Sequence, residues 1–594
     1  MEESRATPLG RLPEWDLAGL YAGADAPELA ADLGSAAAAA KAFREAHAGK
    51  LAAMPGQALG EAVAAYEKIQ ESIGRVLAYA YLRYAADVSD ASSGTFLQNM
   101  QEQTNAIGTD LLFFTLEINR LSDAALAEKL QAPALARYAP WLRDVRVFRP
   151  HQLSDEVEKL LYQKQLAGRA AWVRLFDETM AALRFSVDGK LLTETETLDL
   201  LSSPDGALRK KAAQALGKVL GENVRLFALI TNTLAKDKAI EDEWRHFPRP
   251  VSARNLENHV EDEVVNALVT AVRDAYPKLS HRYYALKARA FGQEKLDTWD
   301  RNAPWPDAET RPIPWAEAVT TVLEAYAAFT PKLAEVGRLF FDSAWIDAAP
   351  RPGKASGAFA HPTVPSAHPY LLLNYQGKPR DVMTLAHELG HGVHQVLAGP
   401  QGLLLSETPL TLAETASVFG EMLTFRRLLA AEKNAVRRRN LLAMKIEDML
   451  NTVVRQIAFH SFEERVHDAR RAGELAADRL SEIWLDVQRE SLGPALRFEK
   501  GYEVFWTYIP HFLHSPFYVY AYAFGDCLVN SLYAVYEGAE AGFAEKYLDL
   551  LKAGGTRRHR ELLAPFGLDA SDPAFWGRGL DVIAGLLDEL ETLS

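Results

Sequence analysis

The sequence predicts a mainly α-helical protein that contains one small β element. Up to about residue 245, Ala- and Leu-rich stretches recur with charged residues on the opposite face, and turn signals separate them. Between residues 344 and 377 the pattern changes to two short extended runs, 356–360 and 370–375. Helical periodicity resumes at Asp381 and continues to the end of the chain. We therefore expect packed helices, with a short sheet directly ahead of one of them.

The predicted N-terminal helices are amphipathic and pack as antiparallel neighbours. Turn signals at 122–123 and 203–206 interrupt the helical pattern. No repeat of fixed period is present, which excludes a helical solenoid. The predicted helical stretches are 34–47, 59–87, 95–121 and 154–183.

Composition excludes several classes of protein. The 594 residues include 65 Lys and Arg against 79 Asp and Glu, which gives a net charge of −14. An acidic chain without a long basic run lacks the charge that binds a phosphate backbone, so we expect no nucleic-acid partner. Hydrophobic residues at 48% and charged residues at 24% are ordinary for a globular protein and exclude a disordered chain. Cys527 is the only cysteine, so a metal would be held by His and carboxylate side chains.

The sequence pattern also contains no clear targeting or membrane signal. Residues 1–15 have acidic residues and prolines where a signal peptide needs a basic start and an apolar run. The aromatic stretch 516–536 carries Asp526 and Asn530, which are costly in lipid and ordinary in a buried helix. We therefore expect a cytoplasmic protein with no membrane partner.

The motif that carries chemistry lies in a predicted helix over 381–398, with Asp381 as its N-cap. Its segment His-Glu-Leu-Gly-His places His387 and His391 four residues apart, on one helix face, with Glu388 beside them. Two imidazoles at this spacing can bind one metal ion, and the adjacent carboxylate can act as a general base. The alternative interpretation is a chance pattern on a buried helix.

Two glycines support the metal interpretation of this helix. Gly390 and Gly392 lie inside it, and each destabilises a helix by about 1 kcal/mol relative to alanine. Their presence indicates that another backbone or a substrate approaches the helix closely.

A catalytic zinc site normally has three protein ligands, so a third ligand is needed. The metzincin pattern requires Gly at position 394 and His at position 397, and it is excluded because the chain has His394 and Leu397. The remaining candidates are the downstream carboxylates Glu407, Glu414 and Glu421.

Glu414 has two interpretations. A second predicted helix begins near Thr411, and Glu414 and Glu421, seven residues apart, share one of its faces. In the first interpretation Glu414 is a metal ligand and Glu421 is a partner for a ligating histidine. In the second, Thr411 and Glu414 form a helix capping box. The spacing favours neither, and Glu407 stays the alternative ligand.

A third group of candidate residues lies in the segment 509–526. Imidazole and phenol groups can donate hydrogen bonds to the oxyanion that forms when water attacks a carbonyl group. For any single tyrosine the alternative is an aromatic core helix. The site interpretation is favoured because seven of the 15 histidines fall in 361–394 or in this segment. The candidates are His511, His514, Tyr518, Tyr520 and Tyr522.

Together these motifs resemble the thimet oligopeptidase and oligoendopeptidase F family of zinc metallopeptidases, most closely its bacterial oligoendopeptidase F branch. The string His-Glu-x-Gly-His-x-x-His, followed by a helix with Glu-x-x-Ser, is highly specific, and the resemblance covers most of the chain. The matching segments are TLAKDKAIEDEW from Thr233, ARNLENHVEDEVV from Ala253, GKASGAFAH from Gly353, LLNYQGKPRDVMTLAHELGHGVHQ ending at Gln395, LAETASVFGEML from Leu412 and IPHFLHSPFYVYAYAFGD from Ile509.

The resemblance implies roles for the residues of the central motif. His387, His391 and Glu414 would be the ligands of one Zn²⁺ per chain, and Glu388 would be the general base. This assignment favours the ligand interpretation of Glu414 by analogy.

The resemblance also implies donors to the reacting carbonyl group. These would be His511 and one or more of Tyr518, Tyr520 and Tyr522. The thimet-like branch spaces its C-terminal His and Tyr residues differently, so the assignment among the tyrosines stays open. His514 can also take the place of His511.

The fold implied by the resemblance has two helical lobes around a deep substrate channel, with the small β element beside the active-site helix pair. We divide the chain into an N-terminal helical lobe, 1–200, and a catalytic domain, 201–594. Small residues in the run 356–360 leave room for a second backbone, so Gly357 and Ala358 are expected to pair with the main chain of an extended substrate.

The function predicted from the sequence is a zinc endopeptidase acting on short unfolded peptides. One alternative is a zinc carboxypeptidase or dipeptidyl carboxypeptidase on a similar scaffold. The other is a non-catalytic helical protein that binds peptides. The sequence predicts no oligomeric state.

Overall fold

The structure is a computed structural model that describes residues 9–165, 167–306, 311–538 and 542–593. Helices predominate in it, and the predicted mainly α-helical fold with small β elements is confirmed. Residues 1–8, which belong to the segment tested for a signal peptide, lie outside the described residues. Within the described ranges, no helix combines the length and the apolar character needed to cross a bilayer.

Contacts within the chain define two compact units, and both are discontinuous in sequence. The first unit comprises Met1–Arg149, Thr310–Ala431 and Ala539–Gly567, and the second comprises Pro150–Glu309, Glu432–Gly538 and Leu568–Ser594. The predicted division at residue 200 rests on the sequence alone and stays a prediction; it falls inside the second unit.

The N-terminal segment of the first unit is helical, as its amphipathic pattern predicts. The three longest helices, α1 to α3, pack against one another around buried side chains that include Val63, Phe114 and Ile118. Asp90 and Ser122 cap the N-termini of two of the helices, which explains where the chain turns. The helices are α1 (Pro27–His47), α2 (Gly56–Ala86), α3 (Ala91–Arg120), α4 (Asp123–Lys129), α5 (Pro133–Ala136) and α6 (Ala139–Val145).

The second unit begins with two helices where the sequence predicted one. The prediction of a single helix over 154–183 is wrong. The first helix ends at Gln165, and the second begins at Arg169, directly after Gly168. Asp205 caps the long helix α10, in agreement with the turn predicted at 203–206. The elements are α7 (Asp155–Gln165), α8 (Arg169–Ala182), β1 (Phe185–Val187), β2 (Lys190–Leu192), α9 (Glu194–Asp199), α10 (Gly206–Trp244), α11 (Ser252–Glu257), α12 (Asp262–Ala275), α13 (Ser280–Ala290) and β3 (Leu296–Asp297).

The chain then returns to the first unit and forms the predicted β element followed by the motif helix. The elements are α14 (Trp315–Phe329), α15 (Pro331–Asp342), β4 (Ile346–Asp347), β5 (Phe359–His361), β6 (Tyr370–Leu372), α16 (Pro379–Ala398), α17 (Leu403–Ser406), α18 (Leu410–Ala413) and α19 (Thr415–Ala431).

The small sheet has the strand order β4-β6-β5, so β5 lies at its edge. Strand β6 pairs in parallel with β4 and antiparallel with β5, with Ala360 opposite Leu371. The predicted extended run 356–360 begins too early, because Gly357 has a φ of 83°, in the left-handed region, and the strand starts only at Phe359.

The remaining helices complete both units. In the second unit, α24 packs against α27 so closely that a Cβ on Gly579 would lie 2.4 Å from the Cys527 carbonyl oxygen. The aromatic stretch 516–536 thus forms mostly a buried helix. The elements are α20 (Ala435–Thr452), α21 (Val454–Ala472), α22 (Ala477–Leu492), β7 (Leu496–Arg497), α23 (His511–His514), α24 (Tyr520–Glu537) and α27 (Pro573–Thr592) in the second unit, and α25 (Phe543–Lys552) and α26 (His559–Leu563) in the first.

Candidate active site

Helix α16 carries the His-Glu-Leu-Gly-His motif and begins earlier than predicted. Asp381 is not its N-cap; Lys378 is, because Pro379, which has no N–H to satisfy, takes the first helical position. The Asp381 carboxylate instead accepts hydrogen bonds from the backbone N–H groups of Gln376 (2.8 Å) and Lys378 (2.9 Å). This contact fixes the start of the helix, and its apolar stripe, including Leu389, is buried.

His387, His391 and Glu414 come together in the first unit. Glu414 Oε2 lies 3.3 Å from His387 Nε2 and 3.4 Å from His391 Nε2. One ligand atom from each of the three side chains lies within 4.8 Å of the others. Two imidazole nitrogens and one carboxylate oxygen are the donor set of a catalytic zinc site, so these residues fit a divalent metal ion.

Gly390 explains how α16 and α19 approach closely enough to form this group. A Cβ at Gly390 would lie 2.4 Å from the carbonyl oxygen of Ala416, so only glycine permits the contact. A Cβ at Gly392 would lie 2.6 Å from Cζ of Phe340. The predicted close approach of another backbone is therefore confirmed at Gly390, whereas the neighbour at Gly392 is an aromatic side chain and not the predicted backbone or substrate.

The capping-box interpretation of Glu414 is wrong. Thr411 lies inside α18, whose N-cap is Pro409, so Thr411 is not in the position that a capping box requires. Glu414 lies between α18 and α19, and its carboxylate accepts a hydrogen bond from Ser417 Oγ at 2.6 Å. Within the part of the chain that the structure describes, the group able to hold a metal does not include Glu407.

Glu421 contacts the other nitrogen of a candidate ligand. Its Oε2 lies 3.1 Å from His387 Nδ1, which leaves Nε2 directed towards Glu414. Burial lowers the pKa of His387, but the hydrogen bond to Glu421 and the charges of Glu414 and Glu421 outweigh it and raise the pKa to about 9. The carboxylates therefore favour a positive charge at this position, which a metal cation would supply.

Glu388 is buried beside the candidate ligands, with only 7% of its surface exposed. Burial raises its pKa to about 7, although the charge of His387 acts in the opposite direction. A carboxyl group that titrates near neutral pH can take up a proton and return it, which suits a general base.

A cavity of about 700 Å³ lies beside the metal-binding group in the first unit. Among its lining residues are His391, His394, Gln395 and Thr408. His394 Nε2 lies 3.3 Å from Thr408 Oγ1, and burial lowers the pKa of His394 to about 4, so its imidazole is neutral. Gln395 was not among the predicted site residues, although it lies one helical turn beyond His391.

In the second unit, three of the predicted donors form one cluster. The Tyr522 hydroxyl lies 3.4 Å from His511 Nε2, and the rings of Tyr518 and Tyr522 are 5.3 Å apart. The His511 ring lies 6.2 Å from the Tyr518 ring. Burial lowers the pKa of His511, so its imidazole is uncharged at neutral pH. All three side chains are partly exposed, which leaves the cluster open to a ligand.

Tyr520 and His514 lie outside this cluster. Tyr520 is completely buried, and its hydroxyl oxygen accepts a hydrogen bond from Asn258 Nδ2 at 2.9 Å. His514 is exposed, and its Nε2 lies 2.7 Å from Asp177 Oδ1. The structure thus places the Tyr520 side chain in the core and the His514 side chain in a surface contact with Asp177.

Residues distant in sequence hold the loop between α23 and α24. Phe517 has a φ of 61°, which is unusual for a bulky residue, and its N–H donates to Glu463 Oε1 at 2.6 Å. Arg169 Nη2 donates to the carbonyl oxygens of Leu513 (2.7 Å) and His514 (2.8 Å). Neither Glu463 nor Arg169 belongs to a motif, so sequence reasoning had no signal for them.

Known proteins match this sequence over most of its length. The sequence is 26% identical to Oligopeptidase PepF of Bacillus subtilis over 90% of this chain and 81% of that protein. It is 25% identical to an Oligoendopeptidase F homolog of Lactococcus lactis over 88% of each chain.

Solved structures share the fold. A crystal structure of a protein from Chlamydophila abortus matches with a TM-score of 0.87 at 23% identity, covering 98% of both chains. Oligoendopeptidase-F from Enterococcus faecium matches with a TM-score of 0.69 at 22% identity, covering 95% of this chain and 99% of that one.

The family is shown by two sequence profiles. The profile described as Oligopeptidase F matches residues 117–185. The profile of Peptidase family M3 matches residues 199–582, which is more than half of the 594 residues. The resemblance inferred from the motifs is confirmed, and the chain belongs to peptidase family M3.

Proposed function

We propose that the protein is a zinc-dependent endopeptidase that hydrolyses internal bonds of short unfolded oligopeptides. The observation that carries this proposal is the convergence of His387, His391 and Glu414, with Glu388 on the same helix. The names of the relatives, oligopeptidase and oligoendopeptidase, support peptides as the substrates. One Zn²⁺ would be held per chain, and a cytoplasmic location stays a prediction.

The motif residues of α16, together with Glu414 and Glu421, suit hydrolysis by water. A zinc ion held by His387, His391 and Glu414 would polarise the scissile carbonyl group and lower the pKa of a bound water molecule. Glu388 takes a proton from the attacking water and passes it to the leaving amine, for which its raised pKa is suited. Glu421 orients the His387 ring through Nδ1 and favours its ligating tautomer.

The cluster in the second unit suits stabilisation of the oxyanion. We assign this role to His511, Tyr518 and Tyr522, whose donors are partly exposed and close together. The burial of Tyr520 and the contact of His514 with Asp177 argue against a direct role for these two.

The edge of the small sheet suits binding of an extended peptide. The N–H of Leu371 donates to the Trp345 carbonyl oxygen, on the β4 side of β6. Its partner Ala360 therefore forms a pair without hydrogen bonds to β6, and the N–H and C=O of Ala360 point to the open edge. A substrate strand can add there by main-chain pairing.

The position of β5 moves the expected main-chain pairing with substrate towards the C-terminal end of the run 356–360. Ala358 directly precedes β5, and if the alternation of the strand continues to it, its backbone groups face the same way as those of Ala360. The carbonyl oxygen of Gly357 already accepts a hydrogen bond from Asn374 Nδ2 at 3.0 Å. We therefore assign substrate pairing to Ala358 and Ala360, and no longer to Gly357.

Incubation of the purified protein with a defined peptide mixture tests the proposed function. Fragments would be identified by mass spectrometry, with and without a chelator and with zinc added back. We expect internal cleavage that the chelator abolishes and zinc restores. Release of C-terminal residues or dipeptides alone would favour the carboxypeptidase alternatives, and a zinc-loaded protein that cleaves nothing would favour the peptide-binding one.

A further inference from the structure

Gln395 continues the row of side chains that begins with the candidate metal ligands. His387, His391 and Gln395 follow one another at intervals of four residues on α16, so they lie along one face of the helix. Gln395 Nε2 donates a hydrogen bond to the Ala360 carbonyl oxygen at 3.4 Å. This side chain therefore connects the metal-bearing helix to the edge strand β5.

The carboxamide of Gln395 has few good hydrogen bonds in this arrangement. Its hydrogen bond to Ala360 is at the long limit for a protein hydrogen bond. Its Oε1 is buried and has no hydrogen-bond partner among the described residues. A buried amide oxygen without a partner is costly and is rarely kept without a reason.

The position of Gln395 suggests what would satisfy this group. Gln395 lines the 700 Å³ cavity together with His391. The carbonyl oxygen that it contacts belongs to Ala360, whose backbone groups face the open edge of the sheet. A peptide strand that paired with Ala360 would therefore pass beside the Gln395 carboxamide.

A bound peptide strand has polar groups on both sides. Where it pairs with Ala360, one of its N–H groups donates to the Ala360 oxygen, and the next N–H along the peptide points away from the sheet. Rotation about the terminal torsion of a glutamine side chain costs little, because that torsion is broad. Release of the Ala360 oxygen to the substrate would allow the carboxamide to turn and present its oxygen.

We propose that Gln395 is a substrate-positioning residue, whose carboxamide oxygen accepts the main-chain N–H that points away from β5 in a bound peptide. The inference rests on the proposed peptidase function and extends it to the substrate: the enzyme requires a free N–H at this position of the peptide. A proline or an N-methylated residue there is bound poorly.

An N-methyl scan of one good peptide substrate tests this assignment in wild type and in Gln395→Met. Gln401→Met is the matched control, because Gln401 Nε2 donates to the Lys552 carbonyl oxygen at 2.8 Å and Gln401 does not line the cavity. Bound zinc is measured in every preparation. We expect Gln395→Met to raise KM about 3- to 10-fold, the effect of a lost neutral hydrogen bond, with a smaller change in kcat and unchanged zinc and with Gln401→Met matching wild type.

The scan separates this role from a merely structural one. In wild type, N-methylation should raise KM at the position facing Ala360 and at the neighbouring position facing Gln395. In Gln395→Met the first penalty should remain and the second should disappear. A second penalty of equal size in both proteins would overturn the inference and leave Gln395 as a brace for β5. If wild type cleaves no peptide of the series, the proposed function fails instead.

Discussion

The two clusters of candidate catalytic residues are built in different ways. In the metal-binding group, His387 and His391 lie on one helix, where side-chain directions follow from residue spacing. The Gly390 contact between α16 and α19 brings Glu414, which directly precedes α19, close to them. The second cluster, around His511 and Tyr522, depends on a loop between α23 and α24. Helical spacing therefore places both histidines of the first cluster, whereas contacts with residues distant in sequence hold the second.

The largest effect is expected for Glu388→Gln, on the helix that also carries His387 and His391. The substitution keeps the shape of the side chain and all three candidate ligands, but removes the base. We expect kcat to fall by more than about 100-fold, the lower end of general-base contributions, while zinc content stays at the wild-type level. Steady-state kinetics and elemental analysis provide both values. Near-normal turnover would place the base on another residue.

The next effect distinguishes Glu414 from Glu421. Loss of a residue that contacts a metal ligand, but not the metal itself, typically weakens metal binding about 10- to 100-fold. This is the expected effect of Glu421→Gln. Glu414→Ala removes a ligand and should weaken zinc binding more strongly. Competition with a chelator of known affinity measures both. Equal zinc affinity in Glu414→Ala and wild type would remove Glu414 from the metal site.

A matched pair of tyrosine substitutions tests the cluster of His511, Tyr518 and Tyr522 in the second unit. Tyr522→Phe removes a hydroxyl that lies 3.4 Å from His511 Nε2. We expect kcat to fall by about 10- to 100-fold, which is less than the loss of a typical oxyanion donor causes. Tyr520→Phe removes a hydroxyl that is bound to Asn258 in the core, and it should leave kcat close to wild type. The opposite ranking would mean that the cluster is assembled differently when substrate is bound.

The smallest effect concerns Glu463, which supports the loop through the Phe517 N–H. Burial raises the pKa of Glu463 to about 8, so the folded protein favours the protonated form. The free energy of unfolding should therefore decrease as pH rises from about 4.5, the ordinary value, towards 8. Glu463→Gln should flatten this part of the profile in denaturant titrations. An unchanged slope would show that Glu463 does not titrate in this range.

Much of the metal-binding group could be predicted from the sequence because it depends on helical periodicity. The spacing of His387 and His391 indicates that their side chains share a face. The prediction for Glu414 was less accurate, because Glu414 lies between α18 and α19 and not within one helix together with Glu421. The choice between a ligand and a capping box at Glu414 needed the structure, since it depends on the residue at which α18 begins.

The second cluster and the edge strand were less predictable. Tyr518, Tyr520 and Tyr522 have the same chemistry, and only the packing of Tyr520 against Asn258 separates it from the others. The start of β5 depends on the left-handed φ of Gly357, which a run of small residues does not reveal. These features follow from tertiary contacts and backbone geometry, which a local pattern does not contain.

Metal binding by His387, His391 and Glu414 is tested by the zinc content of wild type and of His391→Ala. Both proteins would be purified without chelator, equilibrated with zinc, desalted and examined by elemental analysis, with circular dichroism to compare their folding. We expect one zinc per chain in wild type and a loss of bound zinc in the folded variant, because His391 is one of the three proposed ligands. One zinc per chain in His391→Ala, or none in wild type, would contradict this expectation.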